Sequence, residues 1–227
     1  MLIPEHLPVE KNFALSKIYK PHYNIGGDYL DFIRFDADRF AFCIADISGK
    51  GVAAALLMAN FQAMIQSLIF QYRDLETFVF ALNQSVYRIT RSDRYITFFV
   101  AEIDTRNHTL KYVNAGHFPP ILSMNGTLMR LDKGCSFIGA FEKLDHIHEV
   151  KIDLKPGATI VSFTDGLPDL KNSGDEYFGD KYLENFVREN GKLDPEEFNS
   201  KLLGEIDKYR GDEEIADDIA VLTCKIY

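Results

Sequence analysis

Basic residues are few in this chain and scattered along it: 25 Lys and Arg stand against 34 Asp and Glu, leaving a formal net charge of -9. No cluster of Lys or Arg occurs, which excludes a generic nucleic-acid surface, since phosphate backbones are held by clustered cations. Cysteine is equally thin. Cys43, Cys135 and Cys224 are odd in number, lack CxxC spacing and sit in apolar contexts such as "FAFCIAD" and "AVLTCKIY", so three buried thiols in a reducing cytoplasm are expected. The opening "MLIPEHLPVE" has no basic start followed by an apolar stretch, so no signal peptide is expected. Repeats, low-complexity tracts and linkers are also missing. With 227 residues and 46% of them hydrophobic, the chain has enough apolar side chains for a full core, and one domain over 1–227 is expected.

One uncharged stretch raises the question of a membrane, "VAAALLMANFQAMIQSLIFQY" at 52 to 72, long enough to span. Insertion is not expected, because Asn60, Gln62, Gln66, Ser67 and Gln71 are too many polar groups for a lipid-facing helix and no basic asymmetry flanks them. At about 100° per residue, Asn60, Ser67 and Gln71 share one stripe and Gln62 and Gln66 another, which suits a helix sandwiched between a sheet and a second layer.

Around that helix the pattern is mixed. Residues 13 to 19, 29 to 35 and 39 to 46 read as strands, the last two a hairpin joined by "DADR". A second helix is expected over 75 to 90, with Asp74 as N-cap and Leu75, Phe78, Val79, Leu82, Val86 and Ile89 on one face. Two adjacent helices then cover one sheet face. From 95 to 165 strands return, in "YITFFVAEID", "TLKYVNAG", "PPILSM", "GTLMRL", "HIHEVKIDL" and "ATIVSFTDG", separated by the turn-formers "DTRN", "MNG" and "KPG". Helices near 179 to 189 and 195 to 209 and a last strand in "DDIAVLTCKIY" complete a layered α+β pattern.

Aspartates recur where strands meet loops. Asp28 begins a strand after two glycines in "NIGGDYLDF", Asp46 ends one in "CIADISGKG", Asp165 ends another in "VSFTDG", and Asp217 with Asp218 begins the last. Singly, each suits the ordinary local hydrogen bonding of Asp at turns. Together, strand ends gathered at one sheet edge would concentrate negative charge that cations must neutralise, and hard divalent ions with oxygen ligands are the natural occupants. Asp31 has the wrong parity to share a face with Asp28 and is expected to have a supporting role.

In their order and separations, "GGDYLDF", "ADISGKGVAAALLM", "YVNAGHFPP", "FTDGL" and "DDIAVL" resemble the SpoIIE-type branch of the metal-dependent protein phosphatases, the PPM or type 2C superfamily. The resemblance runs from about residue 3 to the C-terminus. It implies a four-layer α/β/β/α sandwich, two central mostly antiparallel sheets flanked by helices, and a single catalytic domain of the kind often attached to an upstream sensor or helical linker. It implies hydrolysis of phosphoserine or phosphothreonine on a protein by water activated between two Mg²⁺ or Mn²⁺ ions. Asp46 matches the aspartate that bridges the ions, Ile47 the backbone-carbonyl ligand and Asp28 the ligand of one ion; Asp165 and Asp217 match ligands of the other, with Asp218 an alternative to Asp217. The substrate it implies is a phosphorylated STAS-domain anti-anti-sigma factor, in the cytoplasm.

Departures and rivals sharpen these expectations. Eukaryotic members carry a histidine two residues after the bridging aspartate, where this chain has Ser48, and their phosphate-binding arginine has no clear counterpart near Lys20. His117 suits hydrogen-bonded scaffolding better than proton donation. Gly49 and Gly51 suit a tight turn that aims Asp46, because "SGKG" lacks the P-loop spacing; Lys50 is either solvated or an attractor for a phosphopeptide. The uncharged region 52–72 suggests a movable element and a homodimer contact. Two alternatives stand beside the phosphatase: a non-catalytic binding module with the same fold, and a nucleotidyl cyclase, which "GGDYLDF" superficially suggests and "FTDG" and "DDIAVL" do not.

Overall fold

In the computed structural model, residues 2–22, 26–49 and 51–227 are described. The elements begin with β1 (Phe13–Lys20), β2 (Asp28–Arg34), β3 (Arg39–Ile47), α1 (Val52–Leu68), α2 (Leu75–Thr90), β4 (Ile96–Asp104) and β5 (Thr109–Ala115). They continue with β6 (Ile121–Met124), β7 (Thr127–Arg130), β8 (Gly134–Cys135), β9 (Val150–Asp153), β10 (Thr159–Phe163), α3 (Gly179–Asn190), α4 (Pro195–Arg210) and β11 (Ile219–Ile226). Contacts gather them into two compact units, Met1–Glu5 with Ile25–His117 and Asp132–Asp153, and His6–Asn24 with Phe118–Leu131 and Leu154–Tyr227.

The first unit is built on a sheet in the order β2-β3-β4-β5-β8, with β9 also pairing β5. Every pairing is antiparallel except the short parallel contact of β5 with β8. Its strands alternate strictly: Ala41, Cys43, Ala45 and Ile47 of β3 join the cluster under the helices, while Phe40, Phe42 and Ile44 are buried on the other face. α2 holds itself well. Asp74 Oδ1 accepts the Thr77 N–H at 2.7 Å, Arg88 lies in the last turn, and the chain leaves through Arg91 at φ 49.

α1 has neither a side-chain cap nor a charged residue in its end turns, so packing has to stabilise it. Ala54, Leu57, Met58, Phe61 and Ile65 supply that packing, with Phe61 edge-on to Tyr29 at 6.1 Å and to Phe98 at 5.2 Å; each large side chain buried this way is worth about 1.5–3 kcal/mol. The helix is not sandwiched. Val52, Leu56 and the following Phe70 are exposed on its outer side, because the uncharged polar residues make that side tolerable to water without a second layer. It also stops at Leu68, four residues before Tyr72, and Ile89 of α2 is exposed where a core position was expected. Among the described residues no helix is long and apolar enough to cross a membrane.

The second unit is a five-stranded sheet in the order β1-β11-β10-β6-β7. β11 lies inside it, paired along its whole length with β1 from Phe13↔Ile226 to Lys20↔Ile219 and on its other edge with β10. α3 and α4 pack through Leu183, Phe186, Val187, Phe198, Leu202 and Ile206 onto Val161, Phe163, Ile219 and Val221. Pro195 opens α4 with Glu196 and Glu197 in its first turn, where the fixed proline φ and the helix dipole both favour them. Cys43 and Cys224 are buried, but Cys135 is only half-buried because it lies on the two-residue edge strand β8. Burial lifts all three thiols above the ordinary cysteine range, which disfavours the reactive thiolate.

Candidate metal centre

Asp28 and Asp46 stand directly opposite each other on β2 and β3, and Thr97 of β4 is the next residue across from Asp46. All three belong to the sheet face away from α1 and α2, since Tyr29, Ala45, Ile96 and Phe98 occupy the helix side. Opposed residues lie roughly 4.5–5.5 Å apart at Cβ, and like charges so placed repel. Asp28 is nonetheless 2% exposed. A buried carboxylate facing another is costly until a cation offsets it.

The glycine before Asp28 allows a close backbone approach. A Cβ on Gly27 would stand 3.2 Å from the Ile47 carbonyl oxygen and 3.8 Å from Asp46 Oδ1, and the Ile47 N–H donates to the Gly27 carbonyl at 3.3 Å. Gly27 therefore admits the Asp46–Ile47 backbone against its own. Asn24 and Ile25 of "NIGGDYLDF", like Lys50 of "SGKG", lie outside the described residues.

Behind this pair the supporting groups are ordered. Asp31 faces α1: its carboxylate accepts from Tyr29 Oη at 2.6 Å, Gln66 Nε2 at 2.5 Å and the Phe32 N–H at 2.8 Å. His117 is buried, its ring Nδ1 paired with Thr97 Oγ1 at 2.8 Å and its N–H donating to Asn114 Oδ1 at 2.8 Å. That is the pattern of scaffolding. Ser48 N–H donates to the Tyr95 carbonyl and Ser48 Oγ accepts the Tyr95 N–H, while Gly49 and Gly51 adopt φ 95 and 78, the conformations of a turn.

In the second unit, β10 ends at Phe163 and Asp165 follows in a turn where the Asp169 N–H donates to the Asp165 carbonyl at 2.9 Å. The β10–β11 register brings this turn beside Asp217 and Asp218: the Thr164 N–H donates to the Ala220 carbonyl, and a Cβ on Gly166 would stand 1.9 Å from the Asp218 carbonyl oxygen. Burial raises the Asp165 carboxyl above the ordinary carboxylate range, and the charges of Asp217 and Asp169 raise it further. Asp218 turns elsewhere, its Oδ1 accepting the His22 N–H at 2.7 Å. Asp169 escaped the sequence reading, because an exposed Asp on the far side of a proline offers no strand-end signal. Lys20 pairs with Asp207 at 2.7 Å.

Among the described residues no three His, Cys, Asp or Glu side chains are gathered closely enough to hold a metal ion. The carboxylates instead come as a pair in each unit, Asp28 with Asp46 and Asp165 with Asp217. The donors fit hard cations such as Mg²⁺ and Mn²⁺, since all are carboxylate oxygens.

Residues 36–227 match the family model described as Stage II sporulation protein E (SpoIIE). The chain is 27% identical over 172 residues to phosphoserine phosphatase RsbU of Bacillus subtilis, covering 75% of this chain and 51% of RsbU. Across the matching relatives the chain spans between 24% and 51% of their length. The SiaA-PP2C domain of Pseudomonas aeruginosa superposes with TM-score 0.85 at 21% identity, covering 94% of this chain and 86% of that one. RsbX in complex with magnesium superposes with TM-score 0.72 at 17% identity, covering 98% and 99%. The fold is the α+β PP2C fold, two sheets with four helices.

Proposed function

Because the chain belongs to the SpoIIE family of PP2C-fold phosphatases, we propose that it is a metal-dependent phosphoserine/phosphothreonine protein phosphatase acting as one catalytic domain in the cytoplasm. One observation supports this above the others: the sheet register sets Asp28 opposite Asp46 and draws the Asp165 turn beside Asp217. Asp28, Asp46, the Ile47 carbonyl, Asp165 and Asp217 would hold two Mg²⁺ or Mn²⁺ ions. Asp218, committed to the His22 N–H, is the weaker candidate of the adjacent pair. When bound, the ions supply a water of lowered pKa and offset charge on the phosphoryl oxygens. Gly27 keeps the Ile47 carbonyl in register with Asp28, and Thr97 and His117 brace the strand beside Asp46. Ser48, with its Oγ bonded to Tyr95, holds the turn and leaves proton donation to another group.

The substrate class that suits this reading is a phosphorylated STAS-domain anti-anti-sigma factor in a partner-switching pathway, in keeping with the likeness to RsbU. Mn²⁺-dependent release of phosphate from p-nitrophenyl phosphate and from a phosphorylated STAS protein is the test. Product formed from GTP, or no hydrolysis by a protein that binds Mn²⁺, would refute it in favour of a cyclase or a binding module. A homodimer through residues 52–72 is the accompanying proposal, supported by the exposed Val52, Leu56 and Phe70 on a face without charge. Leu56→Glu should convert dimer to monomer in light scattering with melting temperature unchanged, and a wild-type monomer at 100-fold varied concentration would end the idea.

A further inference from the structure

Ser48 is gripped on all three of its polar groups by two consecutive residues that lead into β4. Its N–H donates to the Tyr95 carbonyl at 3.0 Å, its Oγ accepts the Tyr95 N–H at 2.9 Å, and its carbonyl accepts from Arg94 Nη1 at 2.8 Å. The same guanidinium lies against Gly49, where a Cβ would stand 2.0 Å from Nη1 and 3.1 Å from Cζ. Gly49 is thus glycine for two reasons, its φ of 95 and the arginine that occupies the space of a side chain.

The grip comes from a rigid base. Ile96 exchanges two backbone hydrogen bonds with Ile138, each 2.9 Å. The Tyr95 ring packs on Phe137 at 5.1 Å between centroids, and Gly139, where a Cβ would stand 2.6 Å from Val86 Cγ1, lies beside the Arg94 carbonyl. One residue further on, Thr97 stands opposite Asp46. The segment 94–97 is therefore fixed on one side by 137–139 and on the other meets Asp46 through Thr97 and Ser48–Gly49 through Arg94 and Tyr95.

The geometry points to Arg94 as the positioning residue of the metal centre: its guanidinium latches the Ser48–Gly49 turn and so orients Asp46 and the Ile47 carbonyl immediately before it. This rests on the metal-dependent reading above. A turn containing glycines at positive φ is intrinsically mobile, and ligands that must be ordered at the moment of binding bind more weakly than ligands held in place beforehand. The planar fork suits the task better than an ammonium, since it reaches the carbonyl and covers Gly49 at once. Sequence gives no hint of it, because Arg94 and Ser48 are 46 positions apart.

The experiment is calorimetric titration of Mn²⁺ into the full chain, paired with p-nitrophenyl phosphate kinetics. Wild type should bind Mn²⁺ and Asp46→Asn should not; wild type that takes up no Mn²⁺ refutes the metal reading itself, before Arg94 is in question. Arg94→Met keeps the aliphatic stem and deletes the fork. It is expected to melt like wild type in EDTA, to bind Mn²⁺ roughly 10- to 100-fold more weakly, and to recover activity as Mn²⁺ is raised, with KM for p-nitrophenyl phosphate unaltered. Arg94→Lys, which keeps one donor for the Ser48 carbonyl, should lie between the two. Wild-type Mn²⁺ affinity in Arg94→Met overturns the latch. A raised KM at unchanged Mn²⁺ affinity also overturns it and places Arg94 on the phosphoryl group.

Discussion

Asp46 and Asp165 are both aspartates at the end of a strand, yet their substitutions should separate chemistry from stability. Asp165 has its carboxyl raised by burial and by Asp217 and Asp169. A folded-state value above the unfolded one means that stability present at low pH is lost as pH rises through it. Asp165→Asn should therefore raise the melting temperature of the EDTA-treated protein at pH 7, with the gain shrinking toward pH about 4, while Mn²⁺-dependent hydrolysis falls more than about 100-fold. Asp46→Asn should lose activity to the same extent. Retained turnover in either variant, or a destabilised Asp165→Asn, would refute the assignment. The aspartates were legible because each interrupts an apolar run at a strand end. The close approach of Gly27 to the Ile47 carbonyl was not legible, because it depends on a strand 20 positions away. Which of Asp217 and Asp218 turns toward Asp165 was hidden, since the His22 N–H that takes up Asp218 lies 196 positions away.

At the scale of elements, α1 is the test of how a helix without caps or charges is held. A side-chain bond ties it to the sheet, from Gln66 to Asp31, a carboxylate that is 4% exposed and also accepts from Tyr29 Oη and the Phe32 N–H. Asp31→Ala strips Gln66, Tyr29 and the Phe32 N–H of this acceptor, an unsatisfied-group cost of about 1–3 kcal/mol, or roughly 2–12 °C in melting temperature for a chain of this size. Amide exchange should accelerate in α1 before α2, which has its own Asp74 cap; equal protection of both helices in Asp31→Ala would show that the core residues of α1 suffice. Periodicity placed both helices and nearly every long strand, since alternation and the 3.6-residue repeat are local. It missed β8, two residues whose pairing with β5 is parallel, because so short a strand has no alternation to read. The outer side of α1 was misjudged for a related reason: pattern distinguishes polar from apolar, but it does not say whether an uncharged face has a neighbour.

For the whole molecule, the net charge of -9 opposes compaction through self-repulsion, and the cations of the proposed function would offset part of it. Neither compact unit is a contiguous stretch, for β1 enters the second unit before β2 begins the first, and β11, the strand between β1 and β10, comes last. A chain threaded in this way gives no point at which one unit could complete itself ahead of the other, so a single cooperative transition is expected in calorimetry. On the proposed metal-dependent function, Mn²⁺ would bind the folded chain alone, because the unfolded one would not assemble the ligands. At about 100 times the dissociation constant one ion then stabilises by about 2.7 kcal/mol, which for this size is roughly 5–10 °C. The whole transition should move by that amount in wild type and stay in place in Asp46→Asn. Two resolved transitions, of which Mn²⁺ moved only one, would mean that the units unfold separately and would overturn the assignment of residues 1–227 to a single catalytic domain.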